Sequence, residues 1–249
     1  MGEAADVGAG LVEGVQRDGL HASLARGYPN LYALLDRHGI RATFFVEGWN
    51  GEHHPDAVAE IVRRGHEVGM HGWAHEAWSG LDAQQEAQLA RRATAALERA
   101  AGVRPRGFRA PGGARSAHTE AILSDLGYVY DASLGDGMRP QVLASGLAQV
   151  PFVWEGVDGF YYLRDRPIDP AAVRDGWLRA RARVADAGGL FLTICHAFVT
   201  GIAAARLAAL DAVMAAAVAD GRVLIRTVGE VAEDVLAARP AAPANEERT

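Results

Sequence analysis

The chain has 249 residues, of which 49% are hydrophobic and 22% are charged, and its formal net charge is -6. This length and composition suit one domain with a sizeable core, within the range of single α/β barrels. The acidic balance and the lack of a basic block argue against a nucleic-acid partner, and no apolar run has the length of a membrane span.

Cysteine usage and the first residues bear on the compartment. A single cysteine, Cys195, excludes an internal disulfide framework and a cysteine-rich zinc site, and is compatible with a reducing compartment. The stretch from Met1 to Asp6 has neither a basic region nor an apolar region of the kind found in signal peptides. We therefore expect a cytoplasmic protein that is not attached to a membrane.

Short apolar runs alternate with helical patterns along most of the chain, which is typical of a βα repeat with a largely parallel sheet. The predicted helices span 29–39, 55–65, 83–101, 116–126, 170–187, 203–219 and 229–238, and the predicted strands span 42–46, 67–70, 107–109, 128–130, 149–154, 189–194 and 223–225. No linker divides them. The pattern predicts a single domain over 1–238, followed by a disordered tail over 239–249.

Side chains that can act in catalysis or ligand binding follow several predicted strands. His71, Asp131, Trp154 and His196 fall at or just after the end of a predicted strand, and Arg109 ends one. In parallel α/β architectures, the carboxyl ends of the strands form the functional face. We therefore expect these residues to be neighbours.

His71 and His75 form the most informative pair. Neutral imidazoles bind Zn²⁺ and similar ions, and an i, i+4 pair can bind one ion from one side. The spacing alone is also compatible with two surface histidines and no metal. A hydrolytic site normally adds a third protein ligand, often a carboxylate, and leaves a position open for water.

Three other positions have more than one interpretation. Arg109 begins a Pro-Gly turn that would aim its side chain, or it is an ordinary loop arginine. His196 emerges from the most apolar predicted strand and suits either a general acid or a satisfied core histidine. Trp154 and Asp158, with the aromatic residues after them, suit either core packing or the wall of a carbohydrate groove.

Taken together, these segments resemble the NodB-homology polysaccharide deacetylases, also called carbohydrate esterase family 4. The resemblance extends from about Pro29 to Leu236. Its segments are 39–46 for the second strand, 65–76 for the His-x-x-x-His motif, 109–113 for the Arg-x-Pro-x-Gly motif, 130–134 for the segment after it, and 192–196 for the last motif.

The resemblance implies a distorted NodB-type (β/α)7 barrel and a metal-dependent hydrolase that removes N-acetyl groups from an amino sugar or polysaccharide. It implies His71 and His75 as ligands of a divalent metal, Zn in the first place with Co or Ni as alternatives. It also implies His196 as catalytic acid and Arg109 as the residue that orients an acidic side chain. We assign Trp154, Asp131 and Asp158 to substrate binding.

The sequence departs from the family at its first motif. That motif is a strand ending in Thr-Phe-Asp-Asp-Gly or Phe-Asp-x-Asp, which supplies the base and the third metal ligand, and it does not occur here. Glu3 and Asp6 are the nearby carboxylates that could substitute for the missing aspartates. The resemblance therefore predicts a barrel without its first strand, either because the true protein begins upstream of Met1 or because it is a diverged relative.

Three functions stay open at this point. The first is deacetylation, and the second is an allantoinase-like or other carbon–nitrogen hydrolysis on the same fold. The third is carbohydrate binding without catalysis. The predicted partner is a carbohydrate or small amide substrate, and a homo-oligomer is left open.

Overall fold

The computed structural model describes residues 2–8 and 21–238. The helices are α1 (Gly2–Gly8), α2 (Tyr28–His38), α3 (Gly48–His53), α4 (Pro55–Arg63), α5 (Ala83–Ala101), α6 (Thr119–Asp125), α7 (Asp158–Tyr162), α8 (Pro170–Ala187), α9 (Ala204–Ala219) and α10 (Val228–Ala237). The strands are β1 (Thr43–Val46), β2 (Glu67–Met70), β3 (Gly107–Phe108), β4 (Tyr130–Asp131), β5 (Gln141–Val142) and β6 (Ala148–Gln149). The predicted tail over 239–249 lies outside the described residues.

Local sequence signals set several helix ends. The Asp82 side chain accepts a hydrogen bond from the backbone N–H of Gln85, whose own side chain returns one, so a capping box starts α5. Gly39 ends α2 in the left-handed conformation, with φ of 62°, where glycine carries no steric cost. Pro55 opens α4 and Pro170 opens α8. Such caps explain why the predicted helices match the observed ones closely.

The six strands form one sheet in the order β1-β2-β3-β4-β6-β5. All neighbours are parallel except β5, which runs antiparallel to β6. The register aligns the strand ends, because Met70 pairs with both Val46 and Phe108, and Phe108 pairs with Asp131. The α/β class with a largely parallel sheet is therefore confirmed, while closure into a seven-unit barrel stays a prediction.

Two predicted strands are wrong. Residues 189–193 and 223–225 form no strand, and Ile194 makes only an isolated parallel bridge with Val157. Both segments line a cavity of about 490 Å³ beside β1, and Leu224 in the second segment is 77% exposed. Within the described residues neither segment hydrogen-bonds to the free edge of β1 as a strand, so their apolar character alone does not produce a ladder.

The largest core cluster packs the sheet against α3, α4 and α5, with Val46, Ile61 and Met70 completely buried. Helices α3 and α5 approach closely, because a Cβ on Gly48 would lie 2.4 Å from the Cα of Ala93. Each fully buried large apolar side chain stabilises the fold by about 1.5–3 kcal/mol. Among the described helices, none combines the length and apolarity needed to cross a bilayer.

Candidate active site

Adjacent parallel strands bring His71 and Arg109 to the same edge of the sheet. The backbone N–H of His71 donates to Val46 at 2.9 Å, and that of Arg109 donates to Met70 at 3.0 Å, which continues the ladder beyond β1, β2 and β3. This placement agrees with the prediction that these residues are neighbours. It follows from the strand register, since a residue just after each aligned strand end reaches the same edge.

The His71 ring is held in one orientation. Its Nδ1 lies 2.8 Å from the backbone carbonyl oxygen of Arg109, which can only accept, so Nδ1 carries the proton and Nε2 keeps its lone pair. Burial lowers the pKa of the imidazole well below its ordinary value, and the neighbouring His75 lowers it further. His71 is therefore a neutral imidazole with a free nitrogen, the form that binds metal ions.

His75 lies against His71 on an unusual backbone. The two ring centroids are 5.0 Å apart with an angle of 78° between the planes. His75 has a φ of 63° and is the one non-glycine residue with positive φ among those described. The two residues are therefore neighbours through a loop rather than through a helical turn, and their rings can face a common ion.

Arg109 is buried between aromatic rings. Its Nε donates to the carbonyl oxygen of Ala132 at 2.8 Å, and its guanidinium carbon lies 4.2 Å from the centre of the Phe45 ring. Burial lowers the pKa of Arg109 to about 10. Nη2 has no hydrogen-bond partner among the described residues, so the predicted pairing with an acidic side chain is not seen there.

His196 forms a dyad with Asp158. The His196 Nδ1 donates to Asp158 Oδ1 at 2.5 Å, and the His196 backbone N–H donates to Oδ2 at 2.8 Å. The Thr200 hydroxyl also donates to Oδ2, at 2.6 Å. This carboxylate fixes the tautomer in which Nε2 faces away from Asp158. The sequence did not indicate the pairing, because the two residues are 38 positions apart.

Two residues assigned to substrate binding are placed elsewhere. Asp158 is completely buried behind His196, and both of its oxygens are already in use. Asp131 is completely buried within β4, where Ser133 donates to it at 2.6 Å and Arg115 forms an ion pair with it at 3.2 Å. Burial raises the pKa of Asp131. Neither carboxylate is exposed to contact a substrate.

Trp154 keeps an accessible face. It is 40% exposed and packs edge-on against Phe152, with ring centroids 5.6 Å apart. Phe152 lies near the Arg109 guanidinium, whose carbon is 5.3 Å from the ring centre. Trp154 thus borders the Arg109 surroundings, and its contact with substrate stays a prediction.

Comparison with known proteins shows the family. A sequence model of polysaccharide deacetylases matches residues 18–130. A polysaccharide deacetylase homologue from Mycobacterium smegmatis has a crystal structure that matches with a TM-score of 0.82 at 32% identity, covering 89% of this chain and 83% of that one. The chain belongs to the polysaccharide deacetylase family.

Other members of the polysaccharide deacetylase family match shorter stretches. The peptidoglycan deacetylase-like protein FGM2 of Gibberella zeae is 36% identical over 110 residues, which are 43% of this chain and 32% of that protein. The chain spans only about a third of the length of the first curated relatives it matches. The structure of Puue allantoinase shares the fold, with a TM-score of 0.80 at 21% identity over 88% of this chain and 75% of that one.

The donor set fits two of the ligands that a metal in a polysaccharide deacetylase would need. His71 and His75 offer imidazole nitrogens, but within residues 2–8 and 21–238 no group of three or more His, Cys, Asp or Glu side chains is placed to hold an ion. Glu3 lies 2.9 Å from His54, and Asp6 lies 3.6 Å from His21. Neither predicted substitute joins the pair.

Proposed function

We propose that the chain belongs to a metal-dependent hydrolase that removes N-acetyl groups from an amino sugar or a polysaccharide. The observation that carries the proposal is the neutral His71 imidazole, with Nδ1 tied to Arg109 and Nε2 free beside His75. Membership of the polysaccharide deacetylase family supports this choice of reaction. The name of the relative FGM2 supports a peptidoglycan-type substrate.

The chain's own residues divide the work of amide hydrolysis. His71 and His75 would hold a divalent ion, Zn²⁺ in the first place and Co²⁺ or Ni²⁺ as alternatives, which supplies a Lewis acid for the amide carbonyl. A His196 that carries protons on both ring nitrogens would donate the one on Nε2 to the amine that leaves, while Asp158 accepts the Nδ1–H hydrogen bond, stabilises the imidazolium and holds the ring in place. Trp154 offers an apolar face on which a sugar ring can stack.

A substrate panel tests the reaction class. The metal-loaded protein is incubated with N-acetylglucosamine oligomers, peptidoglycan fragments and cyclic ureides, and released acetate and ring opening are measured separately. Acetate release from the amino sugars supports the proposal. Ring opening alone would favour the allantoinase-like alternative, for which the shared fold is the motivation.

A binding measurement distinguishes the alternative of carbohydrate binding without catalysis from the proposed hydrolysis. The observation behind it is that the described residues give only two metal ligands. Calorimetry that detects binding of the amino-sugar oligomers, together with no acetate release from them, would support this alternative and contradict the proposal. As a control, His118→Ala changes an exposed histidine and should leave acetate release unchanged.

The cellular compartment and the assembly state are separate proposals. We propose the cytoplasm because the chain has a single cysteine, Cys195, which suits a reducing compartment. Cell fractionation tests this, and recovery outside the cytoplasm would contradict it. Light scattering after gel filtration measures whether the protein is a monomer or a homo-oligomer.

A further inference from the structure

The loop that carries His71 and His75 is closed by the carboxylate that follows it. Glu76 Oε2 accepts from the backbone N–H of Trp73 at 3.0 Å, and Oε1 accepts from that of Ala74 at 2.7 Å. Two successive backbone N–H groups that converge on one anion form a strong, directional contact. The carboxylate therefore fixes the peptide units that connect the two histidines.

The loop needs this support because its backbone is strained. His75 has a φ of 63°, a region in which a side chain with a Cβ is disfavoured, and Gly72 has a φ of 72°. Without a bond that holds Trp73 and Ala74, the backbone at His75 can relax to an ordinary conformation. That relaxation would rotate the His75 ring away from His71.

Glu76 also lies against the neighbouring turn. A Cβ added to Gly72 would be 2.9 Å from Glu76 Oε2 and 2.8 Å from Pro111 Cγ, so the carboxylate, Gly72 and Pro111 are packed together. The same turn begins at Arg109, whose carbonyl oxygen orients His71. The Glu76 carboxylate thus borders both the loop that carries His71 and His75 and the turn that orients His71.

We propose that Glu76 is a positioning residue that holds the His75 ring beside His71. It is not placed as a third ligand, since no group of three His, Cys, Asp or Glu side chains that could hold an ion occurs among the described residues, and its two oxygens face the backbone of Trp73 and Ala74. The inference rests on the proposed function for its consequence, because the geometry matters only if the pair binds an ion. The claim that Glu76 holds the backbone between His71 and His75 depends only on the hydrogen bonds within the loop.

The first experiment needs no metal. Glu76→Ala, Glu76→Gln and the matched control Glu98→Ala, which removes an exposed carboxylate paired with Arg104, are compared by amide hydrogen exchange and by NMR of the histidine rings. Glu76→Ala should speed exchange of the Trp73 and Ala74 amides at least ~10-fold and shift the His75 ring signals. Glu76→Gln keeps one oxygen acceptor and should lie between.

The second experiment titrates Zn²⁺ and Co²⁺ into the same variants by calorimetry. Removing a residue that orients a ligand typically weakens metal affinity about 10–100-fold, and we expect that range for Glu76→Ala. Glu98→Ala should stay within about twofold of the unchanged protein. Thermal unfolding of each variant shows whether the loss exceeds a general loss of folding.

The outcomes separate the two proposals. Unchanged exchange at Trp73 and Ala74, or metal affinity within twofold in a folded Glu76→Ala protein, would overturn the role of Glu76. If the unchanged protein binds neither ion, the metal part of the proposed function fails, and the exchange and ring signals still decide whether Glu76 holds His75.

Discussion

The Asp158 carboxylate determines what His196 can do. It is completely buried and accepts three hydrogen bonds, two of them from His196 itself. A buried carboxylate of this kind keeps one imidazole nitrogen protonated and leaves the other free to transfer a proton. The His196 ring is therefore oriented by a buried residue, as the acid role in the proposed function requires.

The change Asp158→Asn tests this role. The amide can donate to Nδ1 and stabilise the wrong tautomer, so we expect kcat for acetate release to fall by about 10²–10⁴-fold. KM should change much less, because Asp158 does not line the surface. Steady-state kinetics measure both, with near-ultraviolet circular dichroism to show that the fold persists. A kcat within threefold of the unchanged protein would contradict the role.

His66 provides a pH-dependent contribution to stability. It is 6% exposed and lies 5.8 Å from Tyr32 and 5.2 Å from Phe44, measured between ring centroids. Burial lowers the pKa of His66 in the folded protein. As the pH falls below the ordinary histidine value of about 6.5, the unfolded chain binds a proton that the folded protein does not. Stability therefore decreases toward acid.

The variant His66→Phe removes that titration and keeps an aromatic ring. Urea unfolding at about pH 7.5 and about pH 5.5 should show a smaller loss of unfolding free energy in the variant than in the unchanged protein. The difference between the two proteins isolates His66 from the other titrating groups. Equal losses would mean that His66 is protonated equally in both states.

For single residues, the sequence predicted the position along the sheet better than the direction in which the side chain faces. His71 and Arg109 lie where the strand pattern placed them, since a residue just after a strand reaches the sheet edge whatever its partners, whereas the strand predicted before His196 does not form. Asp131 and Asp158 were predicted to face substrate and instead face inward. Strand β4 ends one residue later than predicted, so Asp131 is part of it, and chain spacing carries no information on the Asp158 pairing.

At the scale of elements, strands β3 and β4 meet without room for a side chain at Gly107. A Cβ there would lie 1.8 Å from Cζ of Tyr130, which is buried and donates its hydroxyl hydrogen to Glu67 at 2.8 Å. Tyr130 cannot move without breaking that bond. The glycine is therefore required by packing rather than by its φ angle.

We expect Gly107→Ala to reduce the unfolding free energy by about 1–3 kcal/mol, the usual cost of overpacking. Gly176→Ala is the matched control, because it lies within α8 with nothing within 4 Å of its added Cβ. That change should stabilise by about 0.5–1 kcal/mol. Chemical denaturation measures the unfolding free energy of both variants. Equal changes in the two variants would show that the contact with Tyr130 does not destabilise Gly107→Ala.

Helices were predicted more accurately than strands for a physical reason. The capping box at Asp82 and the left-handed Gly39 are local signals that stand in the sequence itself. A strand needs a neighbour, which the sequence does not specify. The apolar runs 189–194 and 223–225 therefore suggested strands that the described part of the chain does not form.

At the scale of the whole molecule, the parallel sheet brings residues that are far apart in the sequence to one edge. The ends of β1, β2 and β3 are in register, so the loop with His71 and the turn with Arg109 meet although they are 38 positions apart. His196 is held by the Val157–Ile194 bridge and its bond to Asp158, and its action beside the pair belongs to the proposed function.

Metal binding at the His71/His75 pair is the central claim. The most direct measurement is a titration of Co²⁺ into the metal-free protein, followed by its absorption spectrum and, on the same samples, by acetate release from N-acetylglucosamine oligomers. We expect one equivalent to bind with histidine-type absorption, both signals to be lost in His71→Ala and His75→Ala, and both to persist in His118→Ala. Acetate release that survives in folded His71→Ala, or no stoichiometric binding by the unchanged protein, would contradict the account.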